Sequence, residues 1–173
     1  MPPARFCSAC GAGLPAPPPV TCARCGAEHW RNGAACANAI VARPDGRILL
    51  TRRALAPWRG LWCAPGGFSE PLEPPDETAR REAREETGLG IRITSLLGIW
   101  VDAYADDPGD ADADWITVAY FAAEAEGEAV AAQPAEVLET GWFAPDELPA
   151  GLAPPGTLLD VLAVWEDGRR GAR

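Results

Sequence analysis

Long apolar runs are missing from this chain, and so is any surplus of positive charge. No stretch approaches the roughly 18 consecutive apolar residues that a bilayer-spanning helix needs, so a membrane is not an expected partner. The opening Met-Pro-Pro-Ala-Arg-Phe-Cys holds no apolar core of a secretory leader. With six cysteines that read as thiols and metal ligands rather than disulfides, a cytoplasmic protein is the expectation. Fifteen Lys and Arg stand against 25 Asp and Glu, a formal net charge of −10. A sequence-independent grip on nucleic acid depends on cations meeting phosphates, which makes nucleic acid an unexpected partner here. An anionic small molecule is still compatible, provided that bound metal and a few local arginines offset the field. Internal repeats are absent, and histidine occurs once, at His29.

What is present is enough for one domain of ordinary size and a small appendage: 173 residues, 47% hydrophobic and 23% charged. Much of the apolar count is alanine, which buries little area, so Trp, Leu, Ile and Val must carry the packing.

The appendage is read in residues 1–33. Cys7-x-x-Cys10-Gly11 and Cys22-x-x-Cys25-Gly26 are two matched pairs separated by eleven residues. Each pair forms a tight knuckle whose sulfurs face one point, and four thiolates suit a closed tetrahedral Zn²⁺ site. Pro15 to Pro19 between them reads as a stiff connection. So short a segment cannot fold on apolar burial alone, and metal would supply much of its folding free energy. A redox dithiol is the competing reading. The role of such a ribbon stays open between a structural staple, a dimerisation element (a homodimer is one arrangement allowed) and a nucleic-acid contact. His29 follows a complete set of four cysteines and reads as a surface residue. Cys36 and Cys63 read as buried thiols packing as small hydrophobes.

Residues 34–173 read as the main domain. Apolar runs at 36–43 and 47–52, separated by Pro44-Asp45-Gly46, predict a β-hairpin. Arg52 to Arg59 follows with three arginines, of which Arg52 and Arg59 are candidates to hold a substrate phosphate. Trp58 is a candidate to stack on a base, against a plain packing role. Further strands are expected within Gly90 to Tyr104, over Trp115 to Ala122 and over Val137 to Phe143. Asp106 to Asp114, with five aspartates at no regular ligand spacing, reads as an exposed loop without a calcium site. Thr157 to Arg169 predicts a helix capped by Thr157, with Leu158, Leu159, Leu162 and Trp165 as its buried stripe.

The most informative stretch is Gly66 to Leu89. A Gly-Gly turn leads through a loop ending in two prolines to Arg81, Glu82, Glu85 and Glu86 at helical spacing. At about 100° per residue, Glu82, Glu85 and Glu86 share roughly a 100° arc of one face. Carboxylates so crowded repel one another unless a cation sits among them, and hard divalent cations take such oxygen ligands together with phosphate oxygens. The alternative is a solvated helix laced with i,i+4 ion pairs, since it also carries Glu77, Arg80, Arg81 and Arg84; its apolar side is only Ala79 and Ala83.

Gly67, five residues, Glu73, seven residues, and then Arg81-Glu82-Ala83-Arg84-Glu85-Glu86-Thr87-Gly88-Leu89 together resemble the signature box of the Nudix hydrolases. Ala83 is the one soft departure, standing where a larger aliphatic residue is usual. Gly60-Leu61-Trp62 and Pro65-Gly66-Gly67 look like the family's lead-in, and Trp142-Phe143 with Asp146-Glu147-Leu148-Pro149 looks like the end of its domain.

That resemblance implies an α/β fold, the Nudix α/β/α sandwich with a mixed sheet, preceded here by the small zinc ribbon. It implies Glu82, Glu85 and Glu86 as Mg²⁺ or Mn²⁺ ligands, one of them doubling as base, with the Gly67 carbonyl as a further ligand. Arg81 and Glu73 would pair to orient Glu82. A distant loop often adds a carboxylate in the family, for which Glu136 is preferred to Glu139. The implied reaction is metal-assisted hydrolysis of a nucleoside diphosphate joined to another group, ADP-ribose or a related nucleotide sugar or dinucleotide first. A noncanonical nucleoside triphosphate is the alternative, and a nucleotide-sensing module that binds a partner through the ribbon is another. A ribbon ahead of the box is similar in layout to the NADH pyrophosphatases, but their Ser-Gln-Pro-Trp-Pro-Phe-Pro stretch has no counterpart between Ile93 and Tyr104.

Overall fold

The computed structural model describes residues 4–107, 113–126 and 135–171. The middle of the acidic loop, with Asp110 and Asp112, lies outside the described residues. A two-stranded antiparallel sheet comes first, from β1 (Val20–Thr21) and β2 (Glu28–His29). The larger sheet has seven strands: β3 (Ala34–Ala42), β4 (Ile48–Arg53), β5 (Trp62–Cys63), β6 (Gly66–Phe68), β7 (Gly90–Tyr104), β8 (Asp114–Glu126) and β9 (Val137–Phe143). Its order is β5-β4-β3-β8-β7, with β6 added to β3 and β9 to β4. The sheet is mixed, because β3 and β8 run parallel while every other pairing is antiparallel.

Alternation along the central pair sends side chains into two cores. Cys36, Ile40, Ile116, Val118 and Tyr120 face one side, where Leu158, Val161, Leu162 and Trp165 of helix α2 (Thr157–Gly171) close over them. Ala37, Ala39, Val41, Ala119, Phe121 and Ala123 face the other, against Ala79 and Ala83 of helix α1 (Pro75–Thr87). A helix on each face makes an α/β/α sandwich. The alanines that looked too small to define a helix face are there because α1 lies close on the sheet.

The expected turn at Pro44-Asp45-Gly46 forms, yet β3 and β4 share only the Ala42–Ile48 pair; β4 turns away to pair along its length with β9. Gly90 to Tyr104 is one strand, with register shifts between Ile93 and Ser95 and between Leu96 and Gly98 that let it follow β8 to its end. The strand expected at Trp115 to Ala122 extends to Glu126. In α2 the buried stripe is Leu158, Val161, Leu162 and Trp165, while Leu159 is 53% exposed. One residue is a turn of about 100°, enough to swing Leu159 off the core face. The Thr157 hydroxyl donates to Asp102 Oδ1 at 2.7 Å instead of capping the helix, and so ties α2 to β7. His29 is half-buried rather than at the surface. No helix among the described residues is long and apolar enough to cross a membrane.

Candidate active site and cysteine cluster

Helix α1 is started by its prolines. Pro74 is extended (ψ 146°) and Pro75 occupies the first helical position, where a missing N–H costs nothing. Asp76 and Glu77 complement the positive end, and Gly88 stops the helix in the left-handed conformation (φ 71°), donating to Arg84 O at 2.8 Å. Held between these ends, α1 presents Glu82 and Glu86 to the sheet, only 9% and 7% exposed.

Glu86 Oε2 receives the Gly66 N–H at 3.4 Å and the Thr51 hydroxyl at 3.3 Å. Burial first, then the neighbouring Glu82, pushes its carboxyl up to about 8, against those two donors. Glu82 is also raised, chiefly by burial, with Arg81 opposing. Gly67 lies against Glu82: a Cβ there would stand 2.6 Å from Glu82 Oε1. The turn lacks a side chain because the carboxylate occupies its place.

Arg81 organises the outer side. Its Nε donates to Glu73 Oε1 at 2.8 Å, and its Nη1 donates to Glu82 Oε1 at 2.8 Å and to Glu85 Oε2 at 3.0 Å. Its Nη2 donates to Glu73 Oε2 at 3.0 Å and to Phe68 O at 2.9 Å. The Glu73 carboxyl is held down at about 2, first by Arg81 and then by the Glu70 N–H. The Glu85 side chain, 49% exposed, sits on Arg81 rather than beside Glu86.

Glu82 and Glu86 open into a cavity of about 320 Å³, where Glu136 joins them. Arg53 is the arginine on that wall, with Trp58, Phe68, Tyr104, Asn38 and Thr51. Arg53 is fixed by Pro57 O (2.9 Å), the Tyr104 hydroxyl (3.3 Å) and the Trp58 ring, whose centroid is 5.6 Å away. Trp58, Tyr104 and Phe68 form a run of edge-to-face contacts, at 5.5 and 5.2 Å between centroids. Asp106 is more than solvated loop: its Oδ1 accepts the backbone N–H of Trp58 at 2.5 Å.

Of the arginines singled out in the sequence, neither Arg52 nor Arg59 lines this cavity. Strand alternation turns Arg52 the other way, onto Glu139 at 3.5 Å and Gly60 O at 2.9 Å, and Arg59 is exposed. The sequence marks Arg53 only as one of the three arginines of the basic loop, and marks neither Tyr104 nor Phe68 as a site residue. The signal for Arg53 was there, since a strand that buries Thr51 must turn the residue two further on to the same side. Cys36 and Cys63 also line the cavity as buried thiols, raised to about 12 and about 11, each first by burial and then by Glu82 and Glu86 respectively.

The four ribbon cysteines converge: their sulfurs lie within 4.8 Å of one another, with Cys7–Cys25 at 3.6 Å and Cys10–Cys22 at 3.8 Å. Four sulfurs about 2.3 Å from one central ion, arranged tetrahedrally, stand about 3.8 Å apart, so the cluster fits Zn²⁺. Both knuckles use the same bonds. Cys7 N donates to Ala12 O and Gly11 N to Cys7 O, as Cys22 N does to Ala27 O and Gly26 N to Cys22 O. Backbone N–H groups of Cys25 and Arg24 pull the Cys22 thiol down to about 6.

The family model for the NUDIX domain matches residues 34–160. An ADP-ribose pyrophosphatase of Methanocaldococcus jannaschii is 39% identical over 69 residues, 40% of this chain and 41% of that protein. The NAD-capped RNA hydrolase NudC of Stutzerimonas stutzeri is 30% identical over 151 residues, 84% of this chain and 50% of that protein. The chain thus spans half or less of the length of these two curated relatives. A Nudix hydrolase from Nitrosomonas europaea has the same fold, with a TM-score of 0.78 over 98% of this chain and 94% of that one at 24% identity. This chain belongs to the Nudix family.

Proposed function

We propose that this chain is a metal-dependent Nudix pyrophosphohydrolase acting on a nucleoside diphosphate linked to a second group. The observation that carries this is the pair of buried carboxylates, Glu82 and Glu86, facing one cavity together with Glu136 and Arg53. Arg81 neutralises Glu82 from the outer side and makes no bond to Glu86, so the cavity side is short of positive charge. An all-oxygen donor set in that state fits Mg²⁺ or Mn²⁺. Glu82 and Glu86 would hold the ion with Glu136 and the Gly67 carbonyl; Glu85 would join by leaving Arg81. When bound, the ion offsets the diphosphate charge and lowers the pKa of a water. The remaining work belongs to the chain. Glu86 is the carboxylate among these ligands assigned to take the proton of that water; without a cation, burial raises its carboxyl. Arg53 offers a fixed fork to the substrate phosphates, and Tyr104 with Phe68 offers ring surface to a base.

The division is at 33/34: a zinc-bound ribbon, then the Nudix domain. ADP-ribose or a related nucleotide sugar or dinucleotide is the favoured substrate. The pyrophosphatase and NudC relatives both support a diphosphate flanked by two groups. The test is turnover on ADP-ribose, NADH, NAD-capped RNA, sugar nucleotides and oxidised deoxynucleoside triphosphates, with Mg²⁺ or Mn²⁺. One diphosphate-linked substrate well above the triphosphates is expected. Negligible turnover of all of them by folded, zinc-loaded protein would replace the enzyme with a nucleotide-sensing module.

A further inference from the structure

The peptide between Pro57 and Trp58 is held at both of its polar atoms. Its carbonyl accepts Arg53 Nε at 2.9 Å, and its N–H donates to Asp106 Oδ1 at 2.5 Å. A trans peptide is planar, with N–H and C=O directed oppositely, so fixing one end fixes the other. Asp106 therefore reaches Arg53 through a single rigid unit, with a charged group at each end of the hydrogen-bonded chain.

That peptide needs holding. Trp58 is buried, yet its backbone sits in the left-handed region at φ 62°. The conformation crowds the Cβ of an L residue against the following carbonyl oxygen and persists only where neighbours enforce it. The end of β7 supplies two such neighbours. Tyr104 meets the indole edge to face, 5.5 Å between centroids, and its hydroxyl accepts Arg53 Nη2 at 3.3 Å. Two residues on, Asp106 takes the backbone N–H. Asp106 itself is exposed and off the cavity wall, so it touches no substrate bound there. With this acceptor removed, Trp58 is free to relax toward an ordinary backbone conformation. The Pro57 carbonyl and the indole, now 5.6 Å from the Arg53 guanidinium, then turn away from it.

We propose that Asp106 is a positioning residue for the substrate phosphates, acting through the Pro57–Trp58 peptide on Arg53. The proposal rests on the assignment of Arg53 to the diphosphate. Steady-state kinetics with ADP-ribose, or with the diphosphate-linked substrate that outruns it, test it. Asp106→Ala should raise KM about three- to tenfold and leave kcat within about twofold. Asp106→Asn keeps an oxygen acceptor in the same place and should recover most of that loss. A bare surface charge predicts the opposite sign: either substitution would lower KM by relieving repulsion of an anionic substrate. In an Arg53→Ala background, Asp106→Ala should add less than about twofold, because its effect passes through Arg53. The free protein gives a second readout: the Arg53 Nε–H and Trp58 indole N–H resonances should move in Asp106→Ala and return toward the parent in Asp106→Asn. An active parent whose KM is unchanged or lowered by Asp106→Ala, the full effect persisting without Arg53, or unmoved resonances would overturn the role of Asp106 alone. A parent that turns over none of these substrates would remove the phosphate role of Arg53, and this proposal with it.

Discussion

Arg81 and Glu73 meet as a two-pronged pair, Nε on Oε1 at 2.8 Å and Nη2 on Oε2 at 3.0 Å. The pair locks the loop before α1 to the helix and leaves Nη1 to hold Glu82. Lysine keeps the charge and loses the fork. Arg81→Lys should therefore fold normally by circular dichroism and lose about 10- to 100-fold in turnover, because Glu82 is no longer oriented. Turnover within twofold of the parent would contradict the positioning role.

The same pair sets a dependence on acid. Glu73 titrates at about 2 in the folded chain, below its ordinary 4.5. Stability from this depressed carboxyl is fully present above its unfolded value and is lost as pH falls through the folded one. The melting-temperature gap between parent and Glu73→Gln should be constant above about pH 5 and should narrow between about 4.5 and 2. A gap that does not change with pH would rule out the linkage.

Gly67 and Glu82 compete for one volume, since a Cβ on Gly67 would stand 2.6 Å from the Glu82 carboxylate. Gly67→Ala should push that carboxylate aside and cost about 100-fold in turnover, the scale of a displacement near 1 Å in a catalytic group. Steady-state kinetics beside a melting curve would separate this from general unfolding.

Much of this site could be read from the chain. Arg81, Glu82, Glu85, Glu86 and Glu73 declared themselves through helical spacing and the family's box, and the ribbon through its two knuckles. Helix α1 was harder to place, because Ala79 and Ala83 carry so little apolar area; only contact with the sheet makes them a buried face. The far wall of the cavity was illegible for another reason. Tyr104 reaches Arg53 and Trp58, and Phe68 reaches Tyr104, through sheet pairing and loop packing between residues tens of positions apart. Arg52 was preferred to Arg53 because composition marks a basic loop but does not say which neighbour faces inward.

Glu86 reverses the sign of the Glu73 argument. Its folded carboxyl titrates at about 8 against an ordinary 4.5, so between those values the folded chain binds more protons than the unfolded one. Stability should then fall as pH rises from about 4.5 to 8 when no divalent cation is present. Added Mg²⁺ or Mn²⁺ should flatten that slope by binding the ionised form, and Glu86→Gln should reduce it to what the also-raised Glu82 contributes, while lowering turnover by at least about 100-fold. Melting temperatures across pH, with and without the cation, test all three. An identical slope in Glu86→Gln would assign the effect to other groups.

The cysteine cluster contributes no residue to the wall of the cavity proposed as the active site. Metal analysis should find about one zinc per chain, lost in Cys22→Ser. Zinc content unchanged by that substitution would refute a four-thiolate site. Hydrolysis should survive the loss, because the box, Arg53 and the aromatic wall all lie beyond residue 33. A collapse of turnover in a variant that still melts cooperatively would instead tie the ribbon to the chemistry.

Arg53 and Arg59 give a contrast that needs only the best substrate. Arg53 is on the cavity wall and already oriented by Pro57 O and Tyr104, so little conformational freedom is lost when it meets a phosphate. Arg53→Ala should raise KM about tenfold or more, the cost of one charge-assisted contact, with a smaller change in kcat. Arg59, exposed and off the wall, should leave both constants within about twofold when changed to Ala. The reverse pattern, a large effect at Arg59 and none at Arg53, would mean that the substrate enters across the outer face of the loop.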